Sequence, residues 1–420
     1  MLPELKTSIP GPASLALAER LRKSESRNVT FTSPEFPIFW ERASGTNVWD
    51  ADGNRFLDLT GAFAVAGLGH GNPELRRAMH EQIDTLFHGM GDVHPTELKV
   101  RLCERLSELT FNRWGLGDGK TLLCNSGFES VEAALKTALL HTGKPGILSF
   151  TGGYHGLGYG ALLAGGIEKF RSPFSAQLAE VGVVVDFDLD AVAQALAGGG
   201  IGAILIEPIQ GRGGKVTAPP GFLAGLRSLA DTHGAVLIFD EIYSGLNRTG
   251  KLFACDHWEV FPDLICIGKA LTGGFPLSAC VGTAEVMDAW PVSAGEALHT
   301  STFLGNPLGC RMALESLDIH ALPETGDGVV AAGRDFASKL GEASGAKVRG
   351  LGLMLGLEVG EGNGGRLMMS SLQDGMIVLA DGPAGEVLSF TPPFAISHEE
   401  MDFVAARVQE YLTSLPGSSS

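Results

Sequence analysis

Three apolar stretches decide the fold: GAILIE at 202–207, AVLIFD at 235–240 and DLICIG at 263–268, the last running straight into Lys269. Each is short and bounded by turn-formers, the pattern of a strand buried on both faces. Moving outward, TLLCN (121–125), GILSF (146–150) and VGVVVDF (181–187) repeat it. Between them lie helical segments such as FESVEAALKTALLHTG at 128–143. Alternating β and α implies an α/β fold with a mostly parallel sheet, right-handed crossovers and flanking helices.

The flanks read differently. Residues 36–59 hold two apolar stretches around Asp50–Ala51–Asp52–Gly53–Asn54, a turn cluster that predicts a β-hairpin or meander. Helical periodicity covers 72–89, 95–110, 306–321, 328–343 and 397–415, and new strands lie in KVRGLGLMLGLEV, GMIVLA and GEVLSF. The chain is therefore divided into an N-terminal arm and part of a small domain (1–70), a large domain (71–310), a C-terminal α+β small domain (311–415) and a disordered tail (416–420).

Composition agrees with a large enzyme. At 420 residues the chain exceeds the ~250–300 at which one core stops growing. Hydrophobic residues make up 44% and mean hydropathy is +0.15, which excludes a mainly disordered chain. Glycine, 58 of 420 residues, is about twice its usual share and points to many tight turns. The net charge of −17 repels nucleic acid and anionic lipid, so neither is an expected partner. Six scattered cysteines without a CxxC pair fit reduced thiols, and no basic-then-apolar leader or long apolar run occurs. A cytoplasmic protein is expected.

In open α/β sheets, ligands bind beyond the carboxyl ends of the strands. Glu207 and Asp240 end two of the decisive strands, and Lys269 follows the third. Carboxylates and an amine at neighbouring strand ends are costly unless a ligand uses them, although a structural salt bridge at the sheet rim is the plainer alternative. After TLLC, Asn125–Ser126–Gly127 leads into a helix near Phe128–Glu129, a start that could hold a phosphate or be an ordinary N-cap. Two further matches are set aside. GLNRTGK (245–251) has P-loop spacing, but Leu252 stands where Ser or Thr should bind Mg²⁺. GLGYGA (156–161) fits a dinucleotide pattern, but no helix is expected within ALLAGG. No histidine spacing suggests a metal site.

Together, SG at a helix start, GGYHG, IEPIQG, DEIYSGLNRTGK, GKALTGGFPLSA and HTSTFLGNPLG occur in this order. The chain resembles the class III aminotransferases, pyridoxal-phosphate enzymes of fold type I, from about Phe36 to Pro393. The resemblance implies an amino-group transfer from an amine or amino acid to an oxo acid of the pyruvate or 2-oxoglutarate type, by a ping-pong route through a Lys269 aldimine. Relatives that decarboxylate, racemise or act as aminomutases share the cofactor motifs and stay open as alternatives. It also implies residue roles. Lys269 carries the cofactor and Asp240 faces the pyridine nitrogen. Ile242 and Tyr154 cover the two ring faces, Ser126, Gly127 and Phe128 hold the phosphate, and Glu207 orients. Thr302 would reach the phosphate of the neighbouring subunit, making a homodimer part of the site.

Four positions depart from the family pattern. Members acting on α-amino acids usually carry Arg before x-x-P-P, where this chain has Ser389. Its usual Glu partner in EPIQGE is replaced by Arg212. Either Arg212 lies at the surface, or the positive charge has crossed the pocket and Arg212 binds a carboxylate. Tyr243 stands where many relatives have Gln, and Phe63 where some ω-amino-acid enzymes have Tyr.

Overall fold

The computed structural model describes residues 1–178 and 180–414, so the expected tail at 416–420 lies outside the described residues. Two compact units are present, one of Met1–Asn72 with the chain from Val330 onward, the other Pro73–Val329. The divisions fall at 72/73 and 329/330, where sequence reading set 70/71 and 310/311. The later boundary has a packing cause: helix Pro307–His320 lies against helices Pro73–Ile83 and Glu97–Ser107, which belong to the larger unit.

The smaller unit begins with β1 (Trp40–Ser44), β2 (Asn47–Asp50) and β3 (Arg55–Asp58), an antiparallel meander. The Asp50–Asn54 turn closes on itself. Asp50 Oδ1 accepts from Asp52 N–H and Asn54 N–H, as an Asx turn does.

The larger unit is built on β4 (Gly119–Cys124), β5 (Gly146–Phe150), β6 (Gly182–Val185), β7 (Ile201–Ile206), β8 (Val236–Asp240), β9 (Leu264–Ile267) and β10 (Ser278–Thr283). Their order across the sheet is β4-β10-β9-β8-β7-β5-β6. Only β10 runs against the rest, pairing antiparallel with β4 and β9. The central strands β7, β8 and β9 are buried at every position, and successive side chains join opposite cores. Ile204, Ile206, Leu237, Phe239, Ile265 and Ile267 join one core with Phe222 and Leu226, while Leu205, Ile238, Leu264 and Cys266 join a second with Val131, Ala134 and Ala138. Helices therefore cover both faces, which is why the central strands read as unbroken apolar runs.

The smaller unit closes with β11 (Val348–Leu351), β12 (Met354–Glu358), β13 (Met376–Ile377), β14 (Leu379–Asp381) and β15 (Val387–Phe390). β13 adds in parallel to β3, and the others form a second sheet, β11-β12-β15-β14. Helices Pro323–Ser344 and His398–Ser414 match the last two helical periodicities, the first starting five residues early.

One expectation is corrected. A short helix, Tyr159–Leu163, does form inside the 156–166 segment. Glu132 Oε1 accepts from the N–H groups of Gly160 and Ala161, satisfying donors that the local sequence leaves open.

Candidate active site

Because β4, β5, β7, β8 and β9 share a direction, their carboxyl ends meet on one edge of the sheet. Asp240 is the last residue of β8 and Glu207 the first after β7. Lys269 opens a single 3₁₀ turn two residues past β9, with φ of +46°, a left-handed conformation disfavoured for a side-chain-bearing residue. Tyr154 and His155 lie in the loop after β5, and Ser126 caps helix Gly127–Thr142 after β4. These ends enclose a cavity of about 410 Å³. Gly127, Phe128, Tyr154, Glu207, Asp240, Ile242 and Lys269 all line it, as do His155, Arg212 and Tyr243.

Asp240 is buried, and its two oxygens are held separately. Oδ1 accepts from Ile242 N–H at 3.1 Å, and Oδ2 faces His155 Nδ1 at 2.8 Å. Burial pulls the His155 imidazole down, but the hydrogen bond and charge of Asp240, with the charge of Glu207, more than offset it and leave the ring more basic than usual. Glu207 braces two loops. Its Oε2 accepts from Tyr154 N–H and its Oε1 from Gly211 N–H, both at 2.9 Å. Burial first, and then the charge of Asp240, push its carboxyl up to about 7. Lys269 is half-buried and lines the cavity. Desolvation lowers its basicity, opposed by Asp240 and Glu207 and reinforced by Lys215.

The helix start is shaped for an anion. Glu129 Oε2 accepts from the Asn125 and Ser126 N–H groups, which orients the turn. Ser126 Oγ is buried with no hydrogen-bond partner, an orphaned polar atom beside the first amides of a sixteen-residue helix. Gly127 packs closely on Ile242: a Cβ there would stand 3.1 Å from its Cδ1 and Cγ2, so the Ile242 side chain would have to give way. Gly156, at φ +111°, would put a Cβ 2.3 Å from that of Phe128.

Arg212 is half-buried and is among the residues that line the cavity. One other candidate is not brought to this cavity. Thr302 is exposed and is not among its lining residues. Phe63 belongs to the smaller unit, 53% exposed at φ +60° between Ala62 and Ala64, which are also left-handed. Asp58 Oδ2 and Thr60 Oγ1 hold that bend through Ala62 N–H. Ser389 is buried in β15 with its Oγ unpartnered. Sequence reading missed the role of His155, whose position beside Tyr154 in GGYHG was the available signal, and missed Lys215 altogether. The buried turn 245–251, with Arg248 only 1% exposed, offers no phosphate loop.

The family model "Aminotransferase class-III" matches residues 29–412. The chain belongs to the class III aminotransferases. It is 36% identical to the acetylornithine aminotransferase of Methanopyrus kandleri over 386 residues, 91% of this chain and 96% of that one. It is 34% identical to the acetylornithine/succinyldiaminopimelate aminotransferase of Yersinia pestis, over 89% of this chain and 92% of that one. Among solved structures, the ornithine aminotransferase of Toxoplasma gondii superposes with a TM-score of 0.85 at 27% identity, covering 98% and 96% of the two chains. A PLP-bound amine transaminase from an uncultivated Pseudomonas species gives 0.83 at 26%, covering 93% and 98%. This aminotransferase is thus a pyridoxal-phosphate-dependent transaminase of fold type I. Its residues fit that cofactor: a half-buried amine, a buried carboxylate and an orphaned hydroxyl at a helix start line or border one cavity.

Proposed function

We propose that this transaminase moves an amino group from a primary amine to an oxo acid in two half-reactions, with Lys269 and Asp240 as its catalytic residues. The observation that carries the reading is the pair itself: a partly desolvated amine and a buried carboxylate at the carboxyl ends of adjacent strands β9 and β8, lining one cavity. Pyridoxal phosphate, when bound, supplies an aldehyde that accepts the nitrogen and a ring that withdraws electrons from the substrate carbon.

The chain does the rest. Lys269 Nζ, made less basic by desolvation, would hold the cofactor's aldehyde carbon and, once released, would hold or give up a proton at its own nitrogen. Asp240, anchored by His155 and Ile242 N–H, would keep the proton on the ring nitrogen. Ser126 Oγ and the Gly127 and Phe128 N–H groups would hold the phosphate, and Tyr154 and Ile242 would enclose the ring. Glu207 orients Tyr154 and the Gly211 loop from behind.

Arg212 is the proposed carboxylate site for the oxo acid. A guanidinium suits that task, and Ser389 cannot perform it. The acetylornithine activity named for the relatives is therefore not the preferred reading, because Ser389 stands where a carboxylate-binding Arg is expected. A homodimer with Thr302 serving the neighbouring subunit is part of the proposal, supported by the exposure of Thr302 away from its own cavity. A cytoplasmic setting is proposed from six free cysteines; no helix among the described residues is long and apolar enough to cross a membrane.

Borohydride reduction followed by peptide mass spectrometry tests the core of the reading. The pyridoxyl group should appear on Lys269, and an amine donor added beforehand should remove it. A label on another lysine ends the assignment.

A further inference from the structure

Lysines are almost never fully buried, because an ammonium loses strong hydration on leaving water. Lys215 is 0% exposed and sits in the left-handed region at φ +57°. Its Nζ donates to the Gly211 carbonyl at 3.1 Å, while the Gly211 N–H donates to Glu207. Both backbone polar groups of Gly211 are thus held by buried ionisable side chains, immediately before Arg212. Lys215 Nζ also lies 4.7 Å from the centroid of the Tyr243 ring, and Lys269 Nζ lies at the same distance from the same centroid. The two amino groups are therefore no further apart than twice that distance, with an aromatic ring as their common neighbour. A ring face attracts cations, which holds both in place, but it cannot cancel their mutual repulsion.

We infer that Lys215 is a positioning residue of this site: anchored on the Gly211 carbonyl beside Tyr243, it sets a second positive charge near the Lys269 amine and so keeps that amine neutral and nucleophilic. The inference rests on Lys269 being the lysine that takes the cofactor. The other charged or titratable groups around the cavity are Asp240, Glu207, His155, Arg212, Tyr154 and Tyr243 itself. Asp240 and Glu207 favour the protonated amine, and Lys215 opposes them. Without such a counterweight, two carboxylates beside a half-buried amine would hold it as an ammonium, unable to attack a carbonyl.

The experiment uses the full-length apoprotein. Lys269 is acetylated with trace acetic anhydride across a pH series, and its modification is read by peptide mass spectrometry. Lys215→Met and Lys215→Gln should each raise the midpoint of Lys269 reactivity by about one pH unit, the size expected for removing one nearby charge at an effective dielectric of ~20. Lys215→Arg keeps the charge and should keep the midpoint. Gln retains a donor for Gly211, so an unmoved midpoint in that variant would show that only the hydrogen bond matters and would overturn the inference. Should the neutral variants not fold, NMR of the unmutated apoprotein with isotope-labelled lysine decides. A Lys269 amine titrating no lower than exposed lysines overturns the inference as well. Borohydride labelling of the holoenzyme separates the two readings. A label on Lys269 with an unmoved midpoint sinks only the role of Lys215, whereas a label elsewhere sinks both.

Discussion

Arg212 and Ser389 stand at two positions where this transaminase departs from its family's pattern, and they depart in opposite senses. One gains a positive charge and the other loses it. Arg212 follows a peptide that Glu207 and Lys215 hold from both sides, so its backbone is fixed while its side chain lines the cavity. A guanidinium held this way can select for a carboxylate. Arg212→Ala should therefore raise KM for oxo-acid acceptors and lower kcat/KM with them by roughly 10- to 150-fold, the equivalent of one charge-assisted pair. The half-reaction with an uncharged amine should change much less. Stopped-flow measurement of both halves at equal cofactor occupancy checks this. An equal loss in both would make Arg212 a structural residue.

At the level of elements, the turn between β4 and helix Gly127–Thr142 combines an anchored backbone with a free hydroxyl. Ser278 Oγ, from the antiparallel β10, donates to the Ser126 carbonyl at 2.6 Å, and Glu129 takes the Ser126 N–H. The main chain of Ser126 is thus satisfied, whereas its Oγ is buried without a partner. Deleting that hydroxyl removes no hydrogen bond from the folded chain, so Ser126→Ala should leave the melting temperature of the apoprotein essentially unchanged. Its affinity for pyridoxal phosphate should fall by about tenfold or more, because a charge-assisted bond to the phosphate is lost. Cofactor titration by fluorescence and apoprotein melting curves give the two readings. A drop in apoprotein stability with unchanged cofactor affinity would mean the serine serves the fold.

Across the whole molecule, two buried carboxyls tie stability to pH. Burial pushes both Glu207 and Glu241 up to about 7, against an ordinary value of 4.5. Glu241 accepts from the N–H groups of Ala254 and Cys255 and from Ser244 Oγ, fastening the segment after β8. Between about pH 4.5 and about 7 the native chain holds these protons while the unfolded chain releases them. Stability contributed by these groups therefore falls as pH rises through that window and levels off above it. Glu241→Gln should flatten this part of the melting-temperature profile of the apoprotein. A slope equal to that of the unmutated chain would show that Glu241 ionises as easily in the folded as in the unfolded state.

By itself the sequence determined the layered α/β architecture, because strands covered on both faces must be apolar throughout and turns must punctuate them. It also determined the family and the ends of the strands at which the ionisable residues stand, since those residues interrupt the apolar pattern at Glu207, Asp240 and Lys269. Only the tertiary structure decided the rest. The reversed direction of β10 was not legible, because a short buried strand has the same composition in either direction. The outer boundary of the large unit depended on which helices Pro307–His320 packs against, a contact far apart in sequence. Arg212 could be read as a surface or a pocket residue until the loop after β7 folded back along the cavity. Lys215 gave no local sign at all. A lysine is ordinarily an exposed residue, and its burial beside Tyr243 follows from the packing of two loops whose meeting no periodicity records.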